Sequence, residues 1–262
     1  MKNFCVIGNP IDHSLSPKIH NHWFNENKID AVYKKNLLQT SELEKFVEKL
    51  RSLEITGANV TVPFKNSIVP FLDKLSVEAQ KTNSVNTIFN EGDKVIGHNT
   101  DIAGFELAIR YINYEIKRKK IFIIGAGGVC SSIICALENM GCENIFLTNR
   151  TLEKSQKIKK IFKKIEIVKW GKIPDFDIVI NATSVGLDND TIDLDLNFPH
   201  QNKFFYDVIY NPSETHFLKQ ARENGNKTEN GKMMFIYQAH QSFAIWNKVF
   251  PKIDDKTINL IK

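Results

Sequence analysis

The first hundred residues alternate between short apolar runs and segments in which apolar positions recur with a helical period. Strands are predicted at 4–7, 31–33, 57–62, 84–89 and 94–96. Helices are predicted over 16–27, 41–50, 76–81 and 101–111. Two helix starts carry further signals, because Ser16 precedes a proline and Ser41 stands three residues before Glu44. We therefore expect an α/β domain with Ser16 as an N-cap and a capping box at Ser41.

The second half of the chain repeats the alternation with more strongly apolar strands. Strands are predicted at 120–124, 144–148, 165–168, 178–180 and 204–208. The run 120–124 is almost wholly apolar, as is typical of a central parallel strand. A helix runs to about Met140, and a long terminal helix is predicted over 233–249. This order predicts a Rossmann-like, doubly wound parallel sheet.

Composition limits the classes of protein to which the chain can belong. With 262 residues, of which 42% are hydrophobic, it is long enough for two domains with apolar cores. No apolar run approaches the ~18 residues of a membrane span, and the first residues lack a signal-peptide core. We therefore expect a cytoplasmic protein.

Charge and cysteine content favour a small-molecule partner. The formal net charge is +5, and the dense basic run at 117–120 is interpreted as a solvated linker, since no aromatic side chains alternate with it. No nucleic-acid partner and no membrane partner are expected. The four cysteines have no CxxC spacing, so we expect buried free thiols and no metal site.

A glycine-rich turn follows the apolar strand at 120–124. It reads Gly125-Ala-Gly-Gly128 and leads into a predicted helix, whose free N–H groups would suit a pyrophosphate. Cys130 stands at the third glycine position of the dinucleotide-binding pattern, and Ser132 supplies a small residue slightly later. An ordinary tight turn between strand and helix is the alternative. We define residues 125–128 as the glycine turn.

The end of the next strand indicates which dinucleotide would bind. It reads Thr148-Asn-Arg-Thr151, with Lys154 one helical turn later. NAD-binding proteins usually carry a carboxylate here for the ribose hydroxyl, whereas Arg150 can stack on adenine and pair with a 2′-phosphate. The sequence therefore favours NADP(H). The alternative is that Arg150 is a solvated surface residue.

A lysine and an aspartate each follow a predicted strand in the first half. Lys65 comes just after the strand that Pro63 stops, and Asp101 opens a helix behind Asn99 and Thr100. If both lie at the carboxyl edge of one sheet, they could relay a proton to a substrate oxygen while a nicotinamide supplies hydride. From spacing alone, an exposed lysine and a helix-capping aspartate remain open.

A series of motifs runs through the whole chain in a distinctive order. They are Ser14-Leu-Ser-Pro17, Asn59-Val-Thr-Val-Pro-Phe-Lys65, Asn83-Ser-Val-Asn-Thr87, Gly97-His-Asn-Thr-Asp101, the glycine turn, Asn149-Arg-Thr151, Asn181-Ala-Thr-Ser184, Asp207-Val-Ile-Tyr-Asn-Pro212 and Gly231-Lys-Met-Met-Phe-Ile-Tyr-Gln238. This series resembles the shikimate dehydrogenase family from end to end. The resemblance implies NADPH-dependent reduction of 3-dehydroshikimate to shikimate, in the pathway to chorismate and the aromatic amino acids.

The resemblance also implies roles for individual residues. Lys65 and Asp101 would be the catalytic pair, and the residues implied to bind substrate are Ser14, Ser16, Thr61, Asn86, Asp101, Tyr210 and Gln238. The residues implied to bind the cofactor are Gly125, Ala126, Gly127, Gly128, Val129, Asn149, Arg150, Thr151, Lys154, Val208 and Gly231. Ser14, Ser16 and Tyr210 would bind the substrate carboxylate.

The implied layout is two α/β domains with a cleft between them. Residues 1–102 would form the substrate domain, 103–231 the Rossmann-like NADP domain, and 232–262 a helical segment that returns to the first domain. The protein would be a monomer or a homodimer. One alternative is a quinate/shikimate dehydrogenase with looser cofactor choice, which would carry an acidic residue where Thr151 stands. A second is a non-catalytic NADP-binding regulator.

Overall fold

The computed structural model describes residues 1–188, 190–194 and 202–261. These residues divide into two compact units. The first comprises Met1–Gly104 and Ile236–Ile261, and the second comprises Phe105–Phe235. Each unit contains its own sheet.

The first unit is built around a mixed sheet with helices against it. Its strands are β1 (Lys2–Gly8), β2 (Ala31–Leu37), β3 (Gly57–Val60), β4 (Lys74–Leu75), β5 (Thr87–Glu91) and β6 (Lys94–His98). Its helices are α1 (Ser16–Glu26), α2 (Leu43–Arg51), α3 (Val77–Thr82), the start of α4 (Asp101–Tyr111), the larger part of α8 (Lys232–Asn247) and α9 (Asp255–Leu260). The strand order is β2-β1-β3-β5-β6-β4.

Strand direction places the carboxyl ends of two strands at one edge of this sheet. Strand β1 runs parallel to β2 and β3, whereas β5 runs antiparallel to both β3 and β6. Strands β3 and β6 therefore point the same way, and their carboxyl ends lie at the same edge. Lys65 follows β3 and Asp101 follows β6.

An aromatic cluster packs α1 and α8 against this sheet. His20, Trp23 and Phe24 of α1 contact Phe243 of α8, and all four are buried. Trp246 of α8 donates from its indole nitrogen to the carbonyl of Ile88, at 3.1 Å. Burying aromatic rings of this size is a large favourable contribution, so the cluster holds the segment 236–261 on the first unit.

The second unit contains a wholly parallel sheet. Its strands are β7 (Lys120–Ile124), β8 (Asn144–Thr148), β9 (Glu166–Ile167), β10 (Ile178–Asn181), β11 (Phe204–Asp207) and β12 (Lys227–Glu229), in the order β12-β11-β10-β7-β8-β9. Its helices include α5 (Cys130–Asn139), α6 (Leu152–Ile161) and α7 (His216–Glu223). The chain progresses outward in both directions from β7, which places the strand-order reversal there. The predicted α/β class and doubly wound sheet are confirmed.

Two predicted helix starts were wrong in detail. Helix α1 has Leu15 at its N-cap, while Ser16 is already the first helical residue. The capping box joins Gln39 and Glu42 on a short 3₁₀ turn, and α2 begins only at Leu43. The Ser41–Glu44 spacing has the right residue types, but the preceding 3₁₀ turn moves the helix start past it. The terminal helix ends at Asn247, two residues before the predicted end.

Candidate active site

Lys65 and Asp101 form a buried ion pair in the first unit. The Lys65 ammonium lies 2.6 Å from Asp101 Oδ2, and the two side chains are 11% and 7% exposed. The Lys65 carbonyl accepts a hydrogen bond from the Val85 amide at 2.8 Å, which fixes the main chain after β3. The expected convergence of these two side chains therefore exists. Because the pair is largely shielded from water, its attraction is stronger than that of a surface pair.

Neighbouring amides hold the Asp101 carboxylate in place. Its Oδ1 accepts from Asn86 Nδ2 at 2.9 Å, while Oδ2 faces the lysine. The Asp101 main-chain N–H donates to Asn99 Oδ1 at 3.0 Å, at the start of α4. Each carboxylate oxygen thus has its own donor, so the orientation of the carboxylate is set before any substrate arrives.

Asn86 connects this pair to the terminal helix. Its Oδ1 accepts from the Thr100 amide at 2.8 Å, which fixes which end of the side chain carries the nitrogen. That nitrogen has Thr100 Oγ1 and Asp101 Oδ1 at 2.9 Å and Gln238 Oε1 at 3.3 Å. An amide has two protons for these three acceptors, so the longest contact, to Gln238, is the weakest. The structure brings Lys65, Asp101, Asn86 and Gln238 together.

Three further predicted substrate residues also belong to the first unit. The Ser14 hydroxyl donates to the Ser16 hydroxyl at 3.3 Å, and the Ser16 amide donates to Ser14 Oγ at 3.3 Å. Both serines are buried. Thr61 continues β3, its amide donating to the Ile7 carbonyl at 2.9 Å. The serine pair offers two short hydroxyls with no positive charge, a chemistry suited to binding a carboxylate through hydrogen bonds.

The glycine turn occupies the carboxyl end of β7 in the second unit. Gly125 has a φ of +107°, and a β-carbon there would lie 2.5 Å from Thr183 Cγ2. A β-carbon at Gly127 would meet only the Ala182 carbonyl, at 3.7 Å. Gly125 therefore requires glycine for its backbone, whereas Gly127 leaves open space for an incoming group.

Helix α5 starts without the usual side-chain cap. Its N-cap residue is Val129, whose side chain makes no capping hydrogen bond, and its first turn holds no acidic residue. An uncapped helix N-terminus after a glycine turn attracts an anion through its N–H groups and its dipole. The residues present fit the pyrophosphate of a dinucleotide.

Asn149 links the glycine turn to the loop after β8. Its Oδ1 accepts from the Ala126 amide at 3.0 Å, and its Nδ2 donates to the Thr151 carbonyl at 2.8 Å. Arg150, Thr151 and Lys154 are exposed beside it. Arg150 forms no ion pair with another described residue, so its guanidinium is available to an external phosphate.

Val208 and Gly231 lie against each other in the second unit. A β-carbon on Gly231 would come within 2.1 Å of the Val208 carbonyl oxygen, and the Gly231 amide donates to the Ile209 carbonyl at 3.0 Å. Tyr210 stacks on Phe235 with ring centroids 4.4 Å apart. The structure thus brings together the two residues expected near the nicotinamide, and it places Tyr210 in the same unit.

Asp207 carries a buried carboxyl group to which no role could be assigned from sequence patterns. It accepts hydrogen bonds from Asn181 Nδ2 at 3.1 Å, the Ile209 amide at 3.0 Å and the Thr215 hydroxyl at 2.6 Å. Burial nevertheless raises its pKa to about 6. Its contacts tie the end of β11 to β10 and to α7, which fixes the segment that carries Val208.

A second group missed from the sequence is a buried polar network around Asn59. Its members are Tyr33, Asn59, Thr87, Thr100 and Ser242, and each is at most 6% exposed. Asn59 is a polar residue inside the otherwise apolar strand β3, which is a signal that the sequence offered. The partners Tyr33 and Ser242 lie 26 and 183 residues away, so no local pattern could identify them.

Neither a metal-binding cluster nor a membrane-spanning helix occurs among the described residues. No group of three or more His, Cys, Asp or Glu is placed to hold a metal ion within that part of the chain. No helix there is long and apolar enough to cross a lipid bilayer.

The chain matches two families of known proteins. Residues 6–88 match the family described as "Shikimate dehydrogenase substrate binding domain", and residues 106–191 match "Shikimate / quinate 5-dehydrogenase". The shikimate dehydrogenase (NADP(+)) of Pelagibacter ubique is 54% identical over 261 residues, covering 99% of this chain and 98% of that protein.

Solved structures agree with these matches. The shikimate dehydrogenase of Aquifex aeolicus superposes with a TM-score of 0.90 at 35% identity, covering 99% of this chain and 96% of that one. The Thermus thermophilus shikimate 5-dehydrogenase, solved with NADP(H) and shikimate, gives a TM-score of 0.88 at 28% identity, covering 98% and 97% of the two chains. With its buried Lys65–Asp101 pair and its glycine turn before the uncapped start of α5, the chain belongs to the shikimate dehydrogenase family.

Proposed function

We propose that this chain catalyses the reversible, NADPH-dependent reduction of 3-dehydroshikimate to shikimate, a step toward chorismate and the aromatic amino acids. The observation that carries the proposal is the buried contact of 2.6 Å between the Lys65 ammonium and Asp101. Family membership and the relatives named for this activity support it.

Lys65 supplies the proton of the reaction. Bound NADPH supplies the hydride when the cofactor is present. The carbonyl carbon of the substrate receives that hydride, and the Lys65 ammonium donates a proton to the oxygen, forming the hydroxyl of shikimate. The ammonium also stabilises negative charge as it develops on that oxygen. Asp101 holds the ammonium in place, and Lys65 regains its proton from water.

The other polar residues of the first unit bind and orient the substrate. Ser14 and Ser16 donate their hydroxyls to the carboxylate, and Tyr210, a residue of the second unit, assists. Thr61, Asn86 and Gln238 bind the ring oxygens, and Asp101 contributes to this set as well. Two short hydroxyls recognise the carboxylate without placing a competing cation beside Lys65. Lys65 is the one buried lysine among the described residues, and this division of labour puts its ammonium at the reacting oxygen.

The second unit binds NADP(H). Main-chain N–H groups at the start of α5 and in the turn before it bind the pyrophosphate. They belong to Gly125, Ala126, Gly127, Gly128 and Val129. Asn149, Arg150, Thr151 and Lys154 bind the adenosine end, with Arg150 on the 2′-phosphate. Val208 and Gly231 lie beside the nicotinamide. The close packing of Gly231 on the Val208 main chain supports this assignment, because it holds the two residues next to each other.

The proposal includes the layout and the setting of the enzyme. Residues 1–102 and 232–262 serve the substrate, and 103–231 serve NADP(H). The protein works in the cytoplasm as a monomer or a homodimer. All four cysteines are free thiols, which supports a reducing compartment.

The direct test follows NADPH absorbance after 3-dehydroshikimate is added to the purified protein. Consumption of NADPH with formation of shikimate is the expected result. Nucleotide binding without turnover would overturn the proposal and favour a non-catalytic regulator. The same assay with NADH and with quinate tests the looser quinate/shikimate alternative. Thr151, which follows Arg150 where that alternative expects an acid, favours NADP(H) and shikimate.

A further inference from the structure

Tyr33 is not one of the proposed substrate or cofactor residues, yet it bonds Asn59, which in turn bonds a neighbour of the catalytic pair, Asn86. It belongs to β2, is 2% exposed, and stacks on the His20 ring with centroids 4.4 Å apart and planes 5° from parallel. Its hydroxyl lies 2.7 Å from Asn59 Oδ1. A buried phenol hydroxyl usually has a hydrogen-bond partner for structural reasons alone. Any effect of Tyr33 on the reaction therefore depends on what its partner, Asn59, contacts in turn.

The direction of the hydrogen bonds around Asn59 follows from the neighbouring groups. Asn59 Nδ2 lies 3.0 Å from the Asn86 main-chain carbonyl, which can only accept. The nitrogen must therefore be on that side, and Oδ1 must face Tyr33. Because an amide oxygen also only accepts, the Tyr33 hydroxyl is the donor.

Asn59 transmits this contact toward the ion pair. Its amide nitrogen holds the main chain of Asn86, whose own side chain donates to Asp101 Oδ1 at 2.9 Å. The same nitrogen lies 3.0 Å from the Ser242 hydroxyl, which donates to the Gln238 carbonyl at 3.0 Å. Asn59 thus braces both Asn86 and the helix turn that carries Gln238.

We propose that Tyr33 is a positioning residue for the reduction, acting on the Lys65–Asp101 pair through Asn59 and Asn86. The inference rests on the proposed function. Without the phenol hydroxyl, the buried Asn59 oxygen loses its donor, and the amide is free to rotate away from Asn86. The Asn86 side chain, which is one of the two partners of the Asp101 carboxylate, then no longer has a fixed orientation.

The test is the Tyr33→Phe variant, which keeps the ring on His20 and removes only the hydroxyl. We expect kcat for shikimate oxidation to fall roughly tenfold, the KM for shikimate to change by less than about threefold, and the KM for NADP⁺ to stay within about twofold. Tyr206→Phe is the matched control, since it removes a buried hydroxyl that has no hydrogen-bond partner among the described residues. Its kcat should equal that of the wild type.

A double-mutant cycle separates positioning from general destabilisation. In an Asn59→Ala background, adding Tyr33→Phe should change kcat by less than about twofold, because the path through Asn59 is already lost. A Tyr33→Phe enzyme with wild-type kcat would overturn the inference, whatever its melting temperature. If Asn59→Ala folds poorly, Tyr33→Phe alone decides. An inactive wild type would instead reject the proposed function.

Discussion

The two units hold their candidate site residues by different means. In the first, buried side chains hold one another: Asp101 has a donor on each oxygen, and Asn86 binds Asp101, Thr100 and Gln238. In the second, main-chain geometry shapes the site at Gly125, while Arg150 remains exposed. Proton transfer depends on tenths of an ångström, whereas a phosphate tolerates several arrangements of N–H groups and cations. The first unit should therefore be sensitive to lost side chains, and the second to added ones.

The units also differ in their buried titratable groups. In the first, burial lowers the pKa of His20 to about 3, and both its ring nitrogens lack a hydrogen-bond partner among the described residues. In the second, burial raises the pKa of Asp207 to about 6. Both folded groups are neutral at mildly acidic pH, His20 because it takes up no proton and Asp207 because it keeps one. As pH falls, His20 should therefore destabilise the first unit, whereas Asp207 should stabilise the second.

The largest effect on stability is expected from Gly125→Ala. The added methyl would lie 2.5 Å from Thr183 Cγ2 in a backbone conformation with φ of +107°, so the turn must shift. We expect the free energy of unfolding to fall by about 2–3 kcal/mol. Gly127→Ala is the matched control within the same turn, because its methyl meets only one atom, at 3.7 Å. It should fold normally and raise the KM for NADP⁺, and equal melting temperatures for the two variants would refute this account of the turn.

The next effect is a pH dependence with opposite signs in the two units. Unfolded His20 gains a proton below its ordinary pKa of 6.5, and folded His20 does not until about 3, so stability is lost as pH falls through this window. At pH 5 the loss is about 2 kcal/mol. His20→Phe, which keeps an aromatic ring, should reduce the drop in unfolding free energy between pH 7 and pH 5.

Burial of Asp207 predicts the opposite dependence of the unfolding free energy on pH. Its unfolded pKa is 3.8 and its folded pKa about 6, so the folded state holds the proton longer and stability falls as pH rises from about 4 to 6. Asp207→Asn should remove this contribution, seen as a smaller decline between those pH values in urea titrations. Identical slopes in wild type and variant would contradict the burial of a protonated carboxyl.

A smaller effect is expected from Arg150→Ala. Loss of one charge-assisted contact to the 2′-phosphate should raise the KM for NADP⁺ about tenfold and change the KM for NAD⁺ much less, since NAD⁺ loses only the stacking of Arg150 on adenine. The effect should shrink at high salt, because Arg150 is exposed. Lys157→Ala, one turn beyond Lys154 on α6, is the control for a general loss of positive charge. Equal effects of the two substitutions would show that Arg150 has no specific role.

Sequence patterns identified the parts of both sites that are local in the chain. The glycine turn between β7 and α5 is one example, since strand, turn and helix are consecutive. Lys65 and Asp101 could be placed at strand ends, but their pairing depends on β5 reversing direction between β3 and β6. The bracing by Tyr33 and Ser242 could not be predicted, because those contacts span 26 and 183 residues. The start of α1 was misplaced by one residue, since a serine before proline suits either the cap or the first turn.

The central claim is that Lys65 donates the proton from a site held by Asp101. It is tested most directly by measuring kcat and the dissociation constant of shikimate for Lys65→Ala, with exposed Lys45→Ala as the control. We predict that kcat falls at least about 100-fold while the shikimate dissociation constant changes by less than about threefold. Near-normal kcat in a folded Lys65→Ala enzyme would contradict the account.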